Sequence, residues 1–174
     1  MNYYEIADYN PLNPKFSVPE EFVPIRRYAP ELVLSTESIE KFTALGFSLR
    51  EVQLFTTRPK TITGIHIDGH SHLESKSAIN YVVNGIGTMK WYKLKTDNTV
   101  KMETSAGTGY IPLEPQECEE TDSLNLNKLT LVEICQPHNI VNMTEHFRYC
   151  FSIRYNNNSK FEDIKNKLAA WNTI

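Results

Sequence analysis

The chain has 174 residues, 40% of them apolar, which is the length of a single domain with enough apolar side chains to bury a core of its own. Eighteen Lys and Arg against 21 Asp and Glu leave a formal charge of −3 at pH 7, so no overall basic field points to nucleic acid or to an anionic lipid surface. A mean hydropathy of −0.41 argues against a membrane span. Three cysteines, Cys118, Cys135 and Cys150, form no Cys-x-x-Cys pair and fit a reducing, cytoplasmic compartment better than a disulfide or zinc framework.

The whole chain, 1–174, reads as one domain with three parts. Residues 1–34 form a proline-rich arm: Pro11, Pro14, Pro19, Pro24 and Pro30 forbid a regular helix and favour extended chain across the domain surface. The opening residues lack the basic start and apolar run of a secretory signal. Ser35 or Thr36 can cap a short helix to about Leu45, with Ile39, Phe42 and Leu45 on one face and Gly46 as its stop.

From residue 47 the pattern changes to short β-branched and aromatic runs, and 47–155 reads as an all-β core. Strands are expected over 49–55, 61–67, 77–83, 88–94, 129–135 and 147–155, with extended character also over 137–143. The sequence Asn84-Gly85-Ile86-Gly87 is a turn signal and predicts a hairpin between the third and fourth of these runs. The polar stretch 95–127, with Glu114, Glu117, Glu119, Glu120 and Asp122, reads as a long solvated connection or a lid, holding a strand near 110–113. Seven or so short strands in a row imply a sandwich or barrel. Phe161, Ile164, Leu168 and Trp171 recur at helical spacing, so 160–172 is expected to be an amphipathic helix on the outside of the sheets.

Chemistry enters at Ile65-His66-Ile67-Asp68-Gly69. Residues two apart on a strand share a face, so His66 and Asp68 can reach one metal while Ile65 and Ile67 turn away into packing. By itself the pair is a weak signal, since about one chain in seven of this composition carries a His-x-Asp by chance. A second histidine, His138, follows an apolar strand, and Arg148 stands ten residues beyond it. In the last strand Phe147, Tyr149, Phe151, Ile153 and Tyr155 occupy one parity, and Arg148, Cys150, Ser152 and Arg154 the other. One face is apolar and carries the helices; the other looks onto solvent or into a polar cavity.

The His-x-Asp, the distal histidine and the arginine, together with Phe55, Ser77-Ala-Ile-Asn-Tyr81, Met89-Lys-Trp-Tyr92, Pro137-His-Asn-Ile-Val-Asn142 and Phe151-Ser-Ile-Arg-Tyr155, resemble the Fe(II)- and 2-oxoglutarate-dependent oxygenases over about 47–155. The resemblance implies a double-stranded β-helix, or jelly roll, with peripheral helices at both ends. It implies that His66, Asp68 and His138 hold Fe(II) on one face, leaving three positions for 2-oxoglutarate and O2. Arg148 would pair with the far carboxylate of 2-oxoglutarate, and Asn80 would contact the cosubstrate or its polar surroundings. The implied reaction hydroxylates a small molecule or a peptide side chain and releases succinate and CO2. Where many members of the family carry a serine two residues after that arginine, this sequence has Cys150, a weaker donor, and Arg154 is a second candidate for the carboxylate. Trp91 suits core packing better than a cavity wall.

Two other readings stand beside this one. Gly64 followed by His70-Ser-His72, with His138, resembles part of the metal-binding cupin motifs, but the glutamate expected three or four residues after the histidine pair is missing. A jelly-roll shell used only for binding or assembly is the third.

Overall fold

The computed structural model describes residues 1–68, 76–84, 87–95, 102–103, 109–156 and 160–174. The arm contributes β1 (Tyr3–Ala7) and β2 (Ile25–Tyr28) and leads into a one-turn helix α1 (Pro30–Val33) and then α2 (Thr36–Ala44). There follow β3 (Leu49–Thr57), β4 (Thr61–Ile62), β5 (Ile65–Asp68), β6 (Ser77–Asn84), β7 (Gly87–Leu94), β8 (Met102–Glu103), β9 (Gly109–Leu113), β10 (Cys118–Leu126), β11 (Leu129–Glu133), β12 (His138–Asn142) and β13 (Arg148–Tyr155). The described chain ends with α3 (Phe161–Leu168) and a 3-10 turn (Trp171–Thr173).

The strands form two antiparallel sheets, ordered β1-β11-β6-β13-β3-β2 and β10-β7-β12-β5-β9-β8, with β4 beside β12. Taken in sequence, β3, β5, β6 and β7 alternate between the sheets; β10 returns beside β7, and β11, β12 and β13 alternate again. This is the winding of a double-stranded β-helix, with β3, β6, β11 and β13 in one wall and β5, β7, β10 and β12 in the other. The all-β core expected over 47–155 is therefore present.

The two walls bury different things. Outward-facing Val52, Leu54, Ile79, Leu129, Leu131, Phe151, Ile153 and Tyr155 of the six-stranded sheet pack against Phe42 of α2, Ile164 and Leu168 of α3, and Trp171. This is the main apolar core, and it lies outside the barrel. Between the sheets, Ala78, Met89, Trp91, Leu126, Val132 and Ile134 fill one part of the interior, with Trp91 donating from Nε1 to the Glu133 carbonyl and stacked on Tyr3. Trp91 is thus a packing residue. The rest of the interior is lined by Asn80, Cys150, Ser152, Arg148 and Arg154 from the inner face of the same six-stranded sheet, so the polar parity of β13 looks into a cavity.

Helix α2 begins where Ser35 Oγ accepts from the Ser38 amide at 3.1 Å and ends at Gly46, whose φ of 76° suits a residue without a Cβ. The predicted helix 160–172 is shorter, breaking after Leu168 into the 3-10 turn.

Four expectations are corrected. Strands β6 and β7 are not a hairpin: β6 is hydrogen-bonded on both edges by β11 and β13, leaving no edge for β7, which pairs with β10 and β12 in the other sheet. Residues 85–86 of that turn lie outside the described residues. The stretch read as a solvated connection contains the nine-residue β10, an edge strand whose acidic side chains face water and whose Glu120 pairs with Lys90 at 2.8 Å; charges on an edge discourage further strand addition. The expected strand 61–67 is split between β4 and β5 by Thr63-Gly64, where Thr63 Oγ1 accepts from the Ile140 amide. The arm does not merely wrap the surface; it supplies an edge strand to each side of the six-stranded sheet and the helix α1. Among the described residues, no helix is long and apolar enough to cross a membrane.

Candidate metal centre

His66 and His138 are register partners across the antiparallel pair β5 and β12. Opposed residues on one face of such a pair have their side chains side by side, and the two rings lie 4.5 Å apart between centroids. Asp68, two residues along β5, shares the face of His66. One ligand atom from each of His66, Asp68 and His138 falls within 4.8 Å of the others. His138 and the pair His66 and Asp68, at least 70 positions apart in the sequence, are therefore one cluster.

The orientation of both rings is fixed from behind. His66 Nδ1 lies 2.9 Å from the Gly64 carbonyl and His138 Nδ1 lies 2.9 Å from the Gln136 carbonyl. A carbonyl only accepts, so each Nδ1 carries a hydrogen and each Nε2 is directed into the cavity, as a lone pair when the ring is neutral or, at His66, as a donor toward Asp68 when the ring is charged. Backbone acceptors holding the far nitrogen are the usual support of metal-ligating histidines. The Thr63-Gly64 break between β4 and β5 gains a purpose here, because it delivers one of the two carbonyls.

Asp68 divides its oxygens. Oδ1 faces His66 Nε2 at 3.4 Å, and Oδ2 accepts from Arg154 Nη2 at 3.0 Å. Burial alone would raise its pKa; the hydrogen bond with His66 and the charges of His138 and Arg154 outweigh burial and hold the carboxyl well below the usual carboxylate range. Burial also works against a charged His66, but Asp68 reverses the balance and raises its pKa. His138, only 4% exposed, is pushed down to about 4 by burial and by the neighbouring His66. The centre joins two imidazoles and a permanent carboxylate, a donor set suited to a divalent first-row metal such as iron or manganese.

The cavity beside the cluster has a volume of about 240 Å³. Arg148, at the start of β13, lines it and is 1% exposed, and among the described residues its Nε and Nη2 have no hydrogen-bond partner. Asn80 Oδ1, from β6, is likewise buried without one. Cys150 lies beside Arg148; burial pushes its thiol pKa up despite the guanidinium. Ile25, Phe55, Tyr110 and Pro112 surround a second depression of about 390 Å³ that opens onto His66 and Asp68 from outside.

Sequence reading thus places His66, Asp68, His138, Arg148 and Asn80 around one cavity, as they are found. Arg154 is corrected: it is the partner of Asp68 and is not reserved for a ligand's carboxylate. Its parity on β13 placed it on the polar face with Arg148, but nothing local names a carboxylate 86 residues away. Ile25 in the wall went unforeseen, since its approach depends on β2 pairing with β3. His70 and His72 lie outside the described residues.

The strand order and this cluster define a double-stranded β-helix with a candidate metal centre between its sheets. No family model matches the sequence, and no curated protein matches it. Solved structures with a similar fold include the oxalate decarboxylase of Lactobacillus farciminis in its formate complex, with 12% identity over 80% of this chain and 31% of that one, at a TM-score of 0.40. They also include a Bacillus subtilis oxalate decarboxylase studied for its Mn(II) centres, with 10% identity over 83% of this chain and 29% of that one, at a TM-score of 0.39. This chain spans less than a third of either neighbour's length, and the architecture stated above rests on its own strand order.

Proposed function

We propose that the protein is an Fe(II)- and 2-oxoglutarate-dependent dioxygenase, a hydroxylase of a small molecule or a peptide side chain. The observation that carries this reading is the presence, in one cavity, of the His66, Asp68 and His138 cluster and of a buried guanidinium two of whose nitrogens have no partner among the described residues. A buried donor without a partner costs about 1–3 kcal/mol, more when charged, so Arg148 is a site short of an anion. A dicarboxylate with one end at the metal and the other at Arg148 answers both needs.

The residues divide the work. His66 and His138 would offer Nε2, and Asp68 would offer Oδ1 while Arg154 keeps Oδ2 occupied, which favours a single oxygen toward the metal. The backbone carbonyls of Gly64 and Gln136 hold the rings in place. Arg148 would fix the far carboxylate by a charge-assisted, two-pronged contact, and Asn80 would order the polar groups between. When bound, iron and 2-oxoglutarate supply the oxidising chemistry, in which O2 converts the keto acid to succinate and CO2 and hydroxylates a C–H bond. No side chain is asked to act as an acid or base in that step; the protein supplies geometry and a shielded cavity. The depression walled by Ile25, Phe55, Tyr110 and Pro112 is where a substrate would approach.

Thermal melting under anaerobic conditions tests the reading. Fe(II) and 2-oxoglutarate together are expected to raise the melting temperature, by about 2.7 kcal/mol of stability at a hundredfold excess over Kd, and His66→Ala or Asp68→Ala to abolish the rise. Succinate release in air would then follow. A chain that melts at the same temperature with and without both ligands contradicts the proposal, and a rise with metal that 2-oxoglutarate does not increase favours a cupin-like metal protein without the cosubstrate.

A further inference from the structure

Gly87 opens β7 and pairs with Leu126 of β10 in a regular ladder. Glycine inside a strand is unfavourable, costing about 0.5–1 kcal/mol against alanine, and calls for a reason. The backbone supplies none, since Gly87 is not among the residues with positive φ, where only Gly46 and Lys60 are found among the described residues. Contact does supply one. A Cβ built on Gly87 would overlap Arg148 Nε and Cδ, far inside van der Waals contact, and lie 3.2 Å from Cζ.

The atoms that would be struck belong to a side chain enclosed between the sheets and shut off from solvent. Arg148 is 1% exposed, and its path runs from the inner face of the six-stranded sheet across to the start of β7 in the opposite sheet. A flexible surface arginine would swing aside; this one is enclosed, so a methyl group at 87 must either displace the guanidinium or push β7 outward.

We infer that Gly87 is the positioning residue of the anion subsite: the space left by its missing side chain seats the Arg148 stem, so position 87 sets affinity for 2-oxoglutarate and leaves the metal centre alone. The inference rests on the proposed function for the identity of the anion, and on geometry alone for the seating. The cluster of His66, Asp68 and His138 sits on β5 and β12 and includes nothing from the start of β7, so the two affinities should separate.

The test is a double-mutant cycle on the full chain with Gly87→Ala, Arg148→Ala and both together, titrating first Mn(II) and then 2-oxoglutarate into the Mn(II)-loaded protein, and recording melting temperatures. Mn(II) affinity is expected to stay within about twofold throughout, while Gly87→Ala weakens 2-oxoglutarate about tenfold or more by displacing a charge-assisted contact. In the Arg148→Ala background, Gly87→Ala should change neither 2-oxoglutarate affinity nor melting temperature. Gly87→Ala that binds 2-oxoglutarate as wild type does overturns the inference, and so does a loss of melting temperature equal in both backgrounds, which would mark a backbone role. If the wild-type protein binds Mn(II) but not 2-oxoglutarate, the proposed function falls, and the melting cycle still decides whether Gly87 seats Arg148.

Discussion

Arg148 and Arg154 stand on the same face of β13 and differ in their partners: Arg154 donates from Nη2 to Asp68 at 3.0 Å and leaves Nε without a partner among the described residues, whereas Arg148 leaves both Nε and Nη2 without one. The difference gives each a distinct mutational signature. Arg154→Met keeps the bulk of the stem but releases Asp68 Oδ2; loss of such a supporting contact typically weakens metal binding by about 10–100-fold, which a Mn(II) titration will register. Cys150 is a weak donor beside Arg148, so Cys150→Ser is expected to tighten 2-oxoglutarate by about three- to tenfold, the worth of one ordinary hydrogen bond, with Mn(II) affinity unchanged. That both arginines share the polar face was legible in the alternation of β13; that this face lines a cavity and not the solvent side was not. Their partners were not, because pairing depends on which strands the fold brings opposite them.

At the scale of elements, periodicity was a good guide wherever a strand buries one whole face. Strand β13 is the clearest case, with Phe151 and Ile153 fully buried among the helices, and Phe151→Ala is expected to cost about 3–5 kcal/mol in chemical denaturation. Strand β10 was missed because as an edge it faces water along much of its length, and Cys-Glu-Glu-Thr-Asp-Ser carries no apolar alternation to read. The sequence at residues 84–87 was read as a reversal, but a turn signal says nothing of whether the strands on either side of it share a sheet. That is decided by β11 and β13 occupying both edges of β6. Helix α2 was legible in outline, with Ser35 one of two candidate caps and Gly46 as its stop, and Ser35→Ala should lower stability by about 1 kcal/mol.

The whole molecule places its apolar core outside the barrel and keeps part of the barrel interior for polar groups, and this arrangement makes its stability depend on pH. His138 stays neutral in the folded chain down to about pH 4, whereas in the unfolded chain it takes a proton near 6.5. Between those values the unfolded state binds more protons, so the metal-free protein should lose stability as pH falls, by up to about 3 kcal/mol across the window. His66, with its pKa raised, is protonated in both states over most of that range and adds no slope, while Asp68, with its pKa lowered, adds a further loss only below the ordinary carboxylate range. Denaturation midpoints between pH 7 and pH 4 will show the slope, and His138→Gln should flatten it. The clustering of three side chains that could hold one metal ion underlies the proposed function, and the direct measurement is the anomalous scattering of a crystal soaked in Mn(II). A single peak bounded by His66 Nε2, Asp68 Oδ1 and His138 Nε2 is the expected result; a peak held by His70 and His72 with His138, or none at this cluster, would contradict it.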